Sequence, residues 1–120
     1  DPYPRQLEEA ARAVAREVGI KDWRCGWQSA GRTPEPWLGP DLLDILEELA
    51  REGKRQVVVC PAGFLADHLE VLYDIDVEAQ AKARELGLEL VRTDSLNADE
   101  DLMEALAHVV KAHLEETDRA

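Results

Sequence analysis

The chain has 120 residues, 45% of them hydrophobic and 33% charged, which is the composition of a globular protein rather than of a disordered one. Its 26 acidic and 14 basic residues give a formal net charge of −12, and this excludes a nucleic-acid or anionic-membrane surface, which needs a basic patch. No apolar run reaches about 20 residues, the length of a membrane span, and no signal peptide is recognisable. We therefore expect one cytoplasmic domain without a transmembrane segment.

Helices and strands are predicted to alternate along the chain. The predicted elements are a helix over 5–18, a strand over 22–29, a helix over 41–52, a strand over 56–60, a helix over 66–86, a strand over 88–92 and a helix over 99–114. The helices follow from apolar residues at every third or fourth position. The first strand follows from the alternation of Trp23, Cys25 and Trp27. The second is a nearly continuous β-branched run, which predicts burial on both faces.

The α-β-α-β-α-β-α order predicts an α/β fold, in which helices cover a parallel sheet in a Rossmann-like three-layer arrangement. Ligands of such sheets bind beyond the carboxyl ends of the strands. Two segments are expected there, the loop 30–40, which is rich in proline and glycine, and the turn 61–68. The functional site is therefore predicted on this rim.

The cysteines, Cys25 and Cys60, lie in apolar stretches, and we expect both to be reduced and buried. Two cysteines are too few for an iron–sulfur cluster with four thiolate ligands. We therefore expect no iron–sulfur cluster. A separate expectation is that the chain has no tightly bound cofactor.

Three carboxylates, Glu70, Asp74 and Glu78, are spaced four residues apart within the predicted helix 66–86. Each step of four residues drifts by only about 40° around an α-helix, so the three share one face. Like charges at this spacing destabilise a helix. The pattern alone favours a solvated acidic face. The alternative is a track of oxygen ligands for a divalent cation, which would relieve the repulsion.

Two further side chains are candidates for function. His68 does not share the face of Glu70, and it is either a proton acceptor or a structural hydrogen-bonding residue, with the structural role slightly favoured. Trp37 lies in the loop 30–40, where it either stacks on a flat ligand or anchors the loop. The residues themselves do not separate these alternatives for Trp37.

Several runs of the sequence resemble the ferrochelatases, the enzymes that insert iron into a porphyrin in haem biosynthesis. The runs are DPYPRQL at 1–7, GWQS at 26–29, TPEPWLGPD at 33–41, PAGFLADHLEVLYD at 61–74 and DSLN at 94–97. The resemblance covers essentially the whole chain and is closest to the soluble bacterial type, including those that act on coproporphyrin. It implies a chelatase-like lobe and, as substrates, a porphyrin and Fe²⁺.

The resemblance also implies roles for individual residues. Glu70 matches the family's essential glutamate, which works with a histidine, and Asp74 and Glu78 match an acidic track on a helix with a locally widened, π-type turn. The predicted site is therefore Glu70 and His68 as catalytic residues, Glu70, Asp74 and Glu78 as metal ligands, and Trp37 and Ser29 as porphyrin-binding residues.

One feature of the family has no counterpart in this sequence. Ferrochelatases have two similar lobes with the porphyrin between them, and their metal-site histidine lies in a Ser-Ala-His-Ser-like segment that is absent here. We therefore expect residues 1–120 to be the carboxyl-terminal lobe, inactive alone, with the helix 99–114 packed on the first lobe. The expected partner is that lobe or a second copy of the chain. The alternatives are a self-pairing half-length chelatase and a non-catalytic module that binds metal or porphyrin.

Overall fold

The computed structural model describes residues 2–28 and 39–119, with side chains described as far as residue 116. The elements in chain order are α1 (Tyr3–Val18), α2 (Leu42–Arg51), β1 (Gln56–Val59), α3 (Leu69–Tyr73), a π-helix (Asp74–Ala79), α4 (Gln80–Leu86), β2 (Glu89–Arg92) and α5 (Glu100–Arg119). Residues 69–86 form one uninterrupted helix, called the long helix below, of which the π-helix is the middle part. No helix of the described residues is long and apolar enough to cross a membrane.

The two strands pair in parallel, and the long helix is the connection between them. Val57 of β1 lies opposite Leu90 of β2, and Val59 lies opposite Arg92. A parallel pair needs such a crossover, because the chain must return to the same end of the sheet before the second strand begins. The α/β class, with a parallel sheet flanked by helices, is confirmed.

The core lies between α2, the long helix and one face of the sheet. Its fully buried members on the long helix, each at most 1% exposed, are Val71, Ile75, Ala79 and Ala83. Leu46 of α2 and Leu90 of β2 complete it from the other two sides. Helix α1 contributes only Ala15 to the buried residues, and none of the described side chains of α5 is buried.

The predicted strand over 22–29 is wrong for the part that the structure describes. Trp27 forms a single bridge to Asp41, and the residues before it join no sheet. The alternation itself is present, since Trp23 and Cys25 are half-buried and the residue between them is exposed. A strand also needs a neighbouring backbone to pair with, and none of the described strands lies beside this segment.

The expectation that the strand at 56–60 is buried on both faces is also wrong. Val57 and Val59 pack against the core, but Val58 is 68% exposed, and Val91 beside it is 52% exposed. The described helices cover only one face of the sheet. Both cysteines were expected to be buried, but Cys60 is exposed, because it continues the alternation of β1 on the same side as the exposed Val58, and Cys25 is only half-buried.

The helix predictions are confirmed, with shifts at their ends. Helices α1 and α4 both end before a glycine with a left-handed backbone, Gly19 with φ 84° and Gly87 with φ 75°, a conformation that glycine adopts without steric cost. The long helix begins at Leu69 rather than at residue 66, because His68 is its cap. Helix α5 extends beyond residue 114.

The tight packing of the core gives a first prediction. Ile75 is 1% exposed, so Ile75→Ala is expected to lower the free energy of unfolding by about 2–5 kcal/mol, measured by urea denaturation. Ile20→Ala is the matched control, because Ile20 is 51% exposed. Equal losses in the two variants would contradict the position of the core.

Candidate functional site

The rim at the carboxyl ends of the two strands carries the start of the long helix. Residues 60–68 lead from β1 into this helix, and residues 93–99 lead from β2 into α5. Backbone hydrogen bonds join the two connections, from Thr93 N–H to the Val59 carbonyl at 2.9 Å and from Asn97 N–H to the Leu65 carbonyl at 2.7 Å. The predicted rim is therefore a place where two backbone segments are held together.

His68 caps the long helix. Its Nδ1 atom accepts a hydrogen bond of 3.2 Å from the backbone N–H of Glu70, so this ring nitrogen carries no proton. Its ring packs edge-on against Phe64 with 4.3 Å between ring centroids, and Nε2 is buried without a hydrogen-bond partner among the described residues. The contact that the structure gives His68 is a structural one, and it fixes the backbone at Glu70.

Residues from the start of the chain also reach this rim. The Gln28 side chain donates to the backbone carbonyl of Glu70 at 3.3 Å. The rings of Tyr3 and Trp27 are in contact, with 5.9 Å between centroids. A Cβ atom on Gly63 would lie only 2.7 Å from the Tyr3 hydroxyl, so the turn approaches α1 closely. The predicted porphyrin residues Ser29 and Trp37 lie outside the described residues.

The three carboxylates form a row along one side of the long helix, called the acidic row below. Glu70 is exposed, and Asp74 and Glu78 are half-buried. A four-residue step overshoots a full turn by about 40° in an α-helix, whereas it falls short by roughly 30° in the wider π turn. The step to Asp74 is mainly α and the step to Glu78 is π, so Glu78 returns close to the direction of Glu70. The π-type widening is confirmed.

Lys82 continues the four-residue spacing of the acidic row and was missed by the sequence analysis. Its Nζ atom lies 2.7 Å from Oε1 of Glu47 on α2, and this contact lowers the pKa of Glu47. Lys82 therefore ends the row with a positive charge. The sequence does indicate Lys82, because it follows Glu78 by four residues, the same spacing that separates the three carboxylates.

Glu70, Asp74 and Glu78 do not converge on one point. In the described parts of the chain, no three His, Cys, Asp or Glu side chains are close enough together to hold a metal ion. A row of this kind offers one or two oxygen ligands at a time along the helix, rather than a chelating cage. Such an arrangement suits a hard divalent cation that is bound weakly and passed on.

Comparison with known proteins identifies the family. The sequence model of the family Ferrochelatase matches residues 1–114. A ferrochelatase of Thermus thermophilus is 54% identical over 93% of this chain and 35% of its own length. A coproporphyrin III ferrochelatase of Anoxybacillus flavithermus is 50% identical over 95% of this chain and 36% of its own length. The chain belongs to the ferrochelatase family. It spans about a third of the length of these curated relatives.

In this member of the ferrochelatase family, Asn97 ties together the two connections at the rim. Its side-chain oxygen accepts from Asp67 N–H at 2.9 Å, and its side-chain nitrogen donates to the Asp67 carboxylate at 3.2 Å. Its backbone has a φ of 51°, a left-handed conformation that asparagine tolerates better than most residues. The run 94–97, which resembles the family, thus positions the residue before His68.

The surroundings of Asp67 predict a pH dependence. The Ser95 hydroxyl, the Asn97 amide and the Arg92 guanidinium lower the pKa of the Asp67 carboxyl in the folded chain. A lowered folded-state pKa stabilises the fold above the pKa of the unfolded chain, about 4, and this stabilisation is lost as the pH falls through the folded value. Asp67→Asn is therefore expected to be less stable than the native chain at pH 7 and to approach it in stability at pH 3.

This prediction is checked by urea denaturation of both chains at several pH values. Glu17→Gln serves as a control for general charge effects, because Glu17 is an exposed residue at the end of α1 that is far from Tyr3 and the rim. If Asp67→Asn differed from the native chain by the same free energy at pH 3 and pH 7, the charge of Asp67 would not be what holds the connections together.

Proposed function

We propose that the chain is the carboxyl-terminal lobe of a ferrochelatase, which inserts Fe²⁺ as a substrate into a porphyrin in haem biosynthesis. The acidic row carries this proposal, because it begins at the carboxyl-end rim of a chain whose sequence matches the family over residues 1–114. The two relatives described above are named ferrochelatase and coproporphyrin III ferrochelatase, so a porphyrin of this kind is the proposed substrate.

Glu70 is the residue proposed to act on the porphyrin. Metal insertion requires two pyrrole protons to leave while a divalent ion enters the ring. An exposed carboxylate at the rim can accept a proton or hand over the ion. His68 holds the backbone N–H of Glu70, so we propose that it positions Glu70 in addition to the catalytic role expected from the sequence.

Asp74 and Glu78 are the proposed ligands of the incoming ion. Their oxygens are hard ligands, and the ion would be held by one or two of them at a time. Weak binding suits a substrate, because an ion held tightly along the row would not reach the porphyrin. Trp37 and Ser29 stay predicted porphyrin contacts, and the cytoplasmic location stays a prediction, as does the lack of an iron–sulfur cluster.

The surface of α5 supports a second lobe as partner. Five of its large apolar side chains are between 41% and 63% exposed, and they are Met103, Leu106, Val109, Val110 and Leu114. An apolar surface of this extent is typical of an interface. We propose that the first lobe of a family-length protein covers it. A self-pairing half-length chelatase is not favoured, because the relatives are about three times as long.

The ligand role predicts the effect of a double substitution. Asp74→Asn with Glu78→Gln is expected to weaken Co²⁺ binding by about ten-fold or more, because neutral amides lose the charge that attracts the cation. Binding is measured by isothermal titration calorimetry, with circular dichroism to verify the fold.

The matched control is Glu100→Gln with Glu104→Gln, which removes two carboxylates at the same spacing from α5. It is expected to bind Co²⁺ as the native chain does. An unchanged affinity in the Asp74 and Glu78 variant would contradict the ligand role.

The incomplete length predicts weak activity. The chain alone is expected to insert Zn²⁺ or Fe²⁺ into a porphyrin far more slowly than a family-length relative, because half a cleft cannot position the ring against Glu70. A spectrophotometric insertion assay measures this, with Glu70→Gln as the control for uncatalysed insertion. Rapid insertion by the chain alone would favour the self-pairing alternative, whereas porphyrin binding without any activity after the first lobe is supplied would favour the non-catalytic module.

A further inference from the structure

Asp76 and Arg92 form a two-pronged ion pair across the side of the π-helix. Arg92 Nε donates to Oδ1 of Asp76 at 2.6 Å, and Nη2 donates to Oδ2 at 2.9 Å. The side chain of Arg92 is only 15% exposed and that of Asp76 is 37% exposed. A parallel pair of charge-assisted hydrogen bonds fixes orientation as well as distance.

Gln80 makes a second polar contact on the same side. Its side-chain nitrogen donates to the backbone carbonyl of Leu90 at 2.7 Å. Asp76 and Gln80 come directly after the buried residues Ile75 and Ala79 of the long helix. Each carboxylate of the acidic row instead comes directly before a buried residue. Both polar contacts therefore tie the π-helix to β2 on the flank opposite to the acidic row.

One of the two contacts lies within the loosely wound part of the helix, at Asp76, and the other lies directly after it, at Gln80. Gln80 N–H bonds to the carbonyl of Ile75, five residues earlier, which is the hydrogen bond of a π turn. Ordinary α-winding would place Gln80 about 70° further around the axis from Asp76 than the π turn does, so the present geometry of the two contacts with β2 fits the π turn. Contacts whose geometry fits the π turn better than an α turn also stabilise it.

We propose that Arg92 and Asp76 are positioning residues, which hold the π turn against β2 and thereby set the direction in which Asp74 and Glu78 face the incoming ion. This inference rests on the proposed function of the acidic row. Neither residue is itself a ligand, since the Asp76 carboxylate is occupied by Arg92.

Two substitutions of opposite charge test the inference. Asp76→Asn removes a negative charge, and Arg92→Gln removes a positive one. An effect through the electric field alone would weaken Co²⁺ binding in the first variant and strengthen it in the second. Positioning instead predicts about ten-fold weaker Co²⁺ binding in both, as when a supporting partner of a metal ligand is lost. Arg92→Lys, which keeps the charge but not the two-pronged contact, is also expected to bind more weakly.

A matched pair of controls is available in the Asp22 and Lys54 ion pair, whose atoms are 2.9 Å apart and which lies away from the long helix. Asp22→Asn and Lys54→Gln make the same charge changes without touching the π turn. Both are expected to leave Co²⁺ affinity within about two-fold of the native value, as distant exposed charges are largely screened.

Amide hydrogen exchange gives a readout that does not depend on the metal. Arg92→Gln is expected to speed exchange at the Gln80 N–H and its neighbours in 74–80 and to leave α2 unchanged, whereas the controls change neither. Unchanged exchange in the π turn, or Co²⁺ binding by Arg92→Gln as tight as native or tighter, would overturn the inference. A native chain that binds no Co²⁺ would instead overturn the proposed ligand role, and the exchange result would still decide whether Arg92 holds the π turn.

Discussion

A helix that buries every fourth residue over several turns must be wound more loosely than an α-helix. Val71, Ile75, Ala79 and Ala83 are all buried, yet in uninterrupted α-winding the last would point about 120° away from the first. The π-helix between them takes up much of this drift. The buried residues of the long helix, its contacts with β2 and the acidic row therefore all depend on the π-helix. A change in its winding would alter the direction of all three sets of side chains.

At the rim, side chains make the hydrogen bonds that the backbone of a helix or sheet makes elsewhere. His68 supplies the acceptor that the first turn of the long helix lacks, and Asn97 supplies both a donor and an acceptor to Asp67. Arg92 lies 3.8 Å from Asp67 and is bonded to Asp76, so it connects this rim to the π turn. The start of the acidic row and its middle are thus held by one polar network that runs along the carboxyl end of β2.

The sequence was informative where structure is local and misleading where it depends on a neighbour. Apolar spacing, together with glycines such as Gly19 and Gly87, located the helices to within a few residues. Alternation around Trp23 and Cys25 reproduced the burial but not a strand, because pairing is decided by what lies alongside. The exposure of Val58 likewise depends on which helices cover the sheet.

The candidate site was predictable only in part for the same reason. The acidic row and its shared side follow from spacing alone, and the π turn came from resemblance to the family. The role of Arg92 did not follow from either, because its partner Asp76 is 16 residues away and the contact exists only once β2 lies beside the helix. A contact between residues that are far apart in the chain produces no repeating pattern of residue types from which it could be predicted.

The charge of the chain is compatible with the proposed role of the acidic row, which is to attract a cation without retaining it. A net charge of −12 raises the local concentration of divalent ions around the whole surface, at the cost of repulsion within the fold. Along the acidic row the repulsion is moderated by Lys82 at its far end and by the exposure of Glu70 to solvent, which screens its charge. Glu70, at the rim, is the most exposed of the row. In the proposed function, an ion that moves from Lys82 towards Glu70 leaves a region of compensated charge for one in which the carboxylate has no cationic side chain on the next turn, and this difference would favour its movement to the rim.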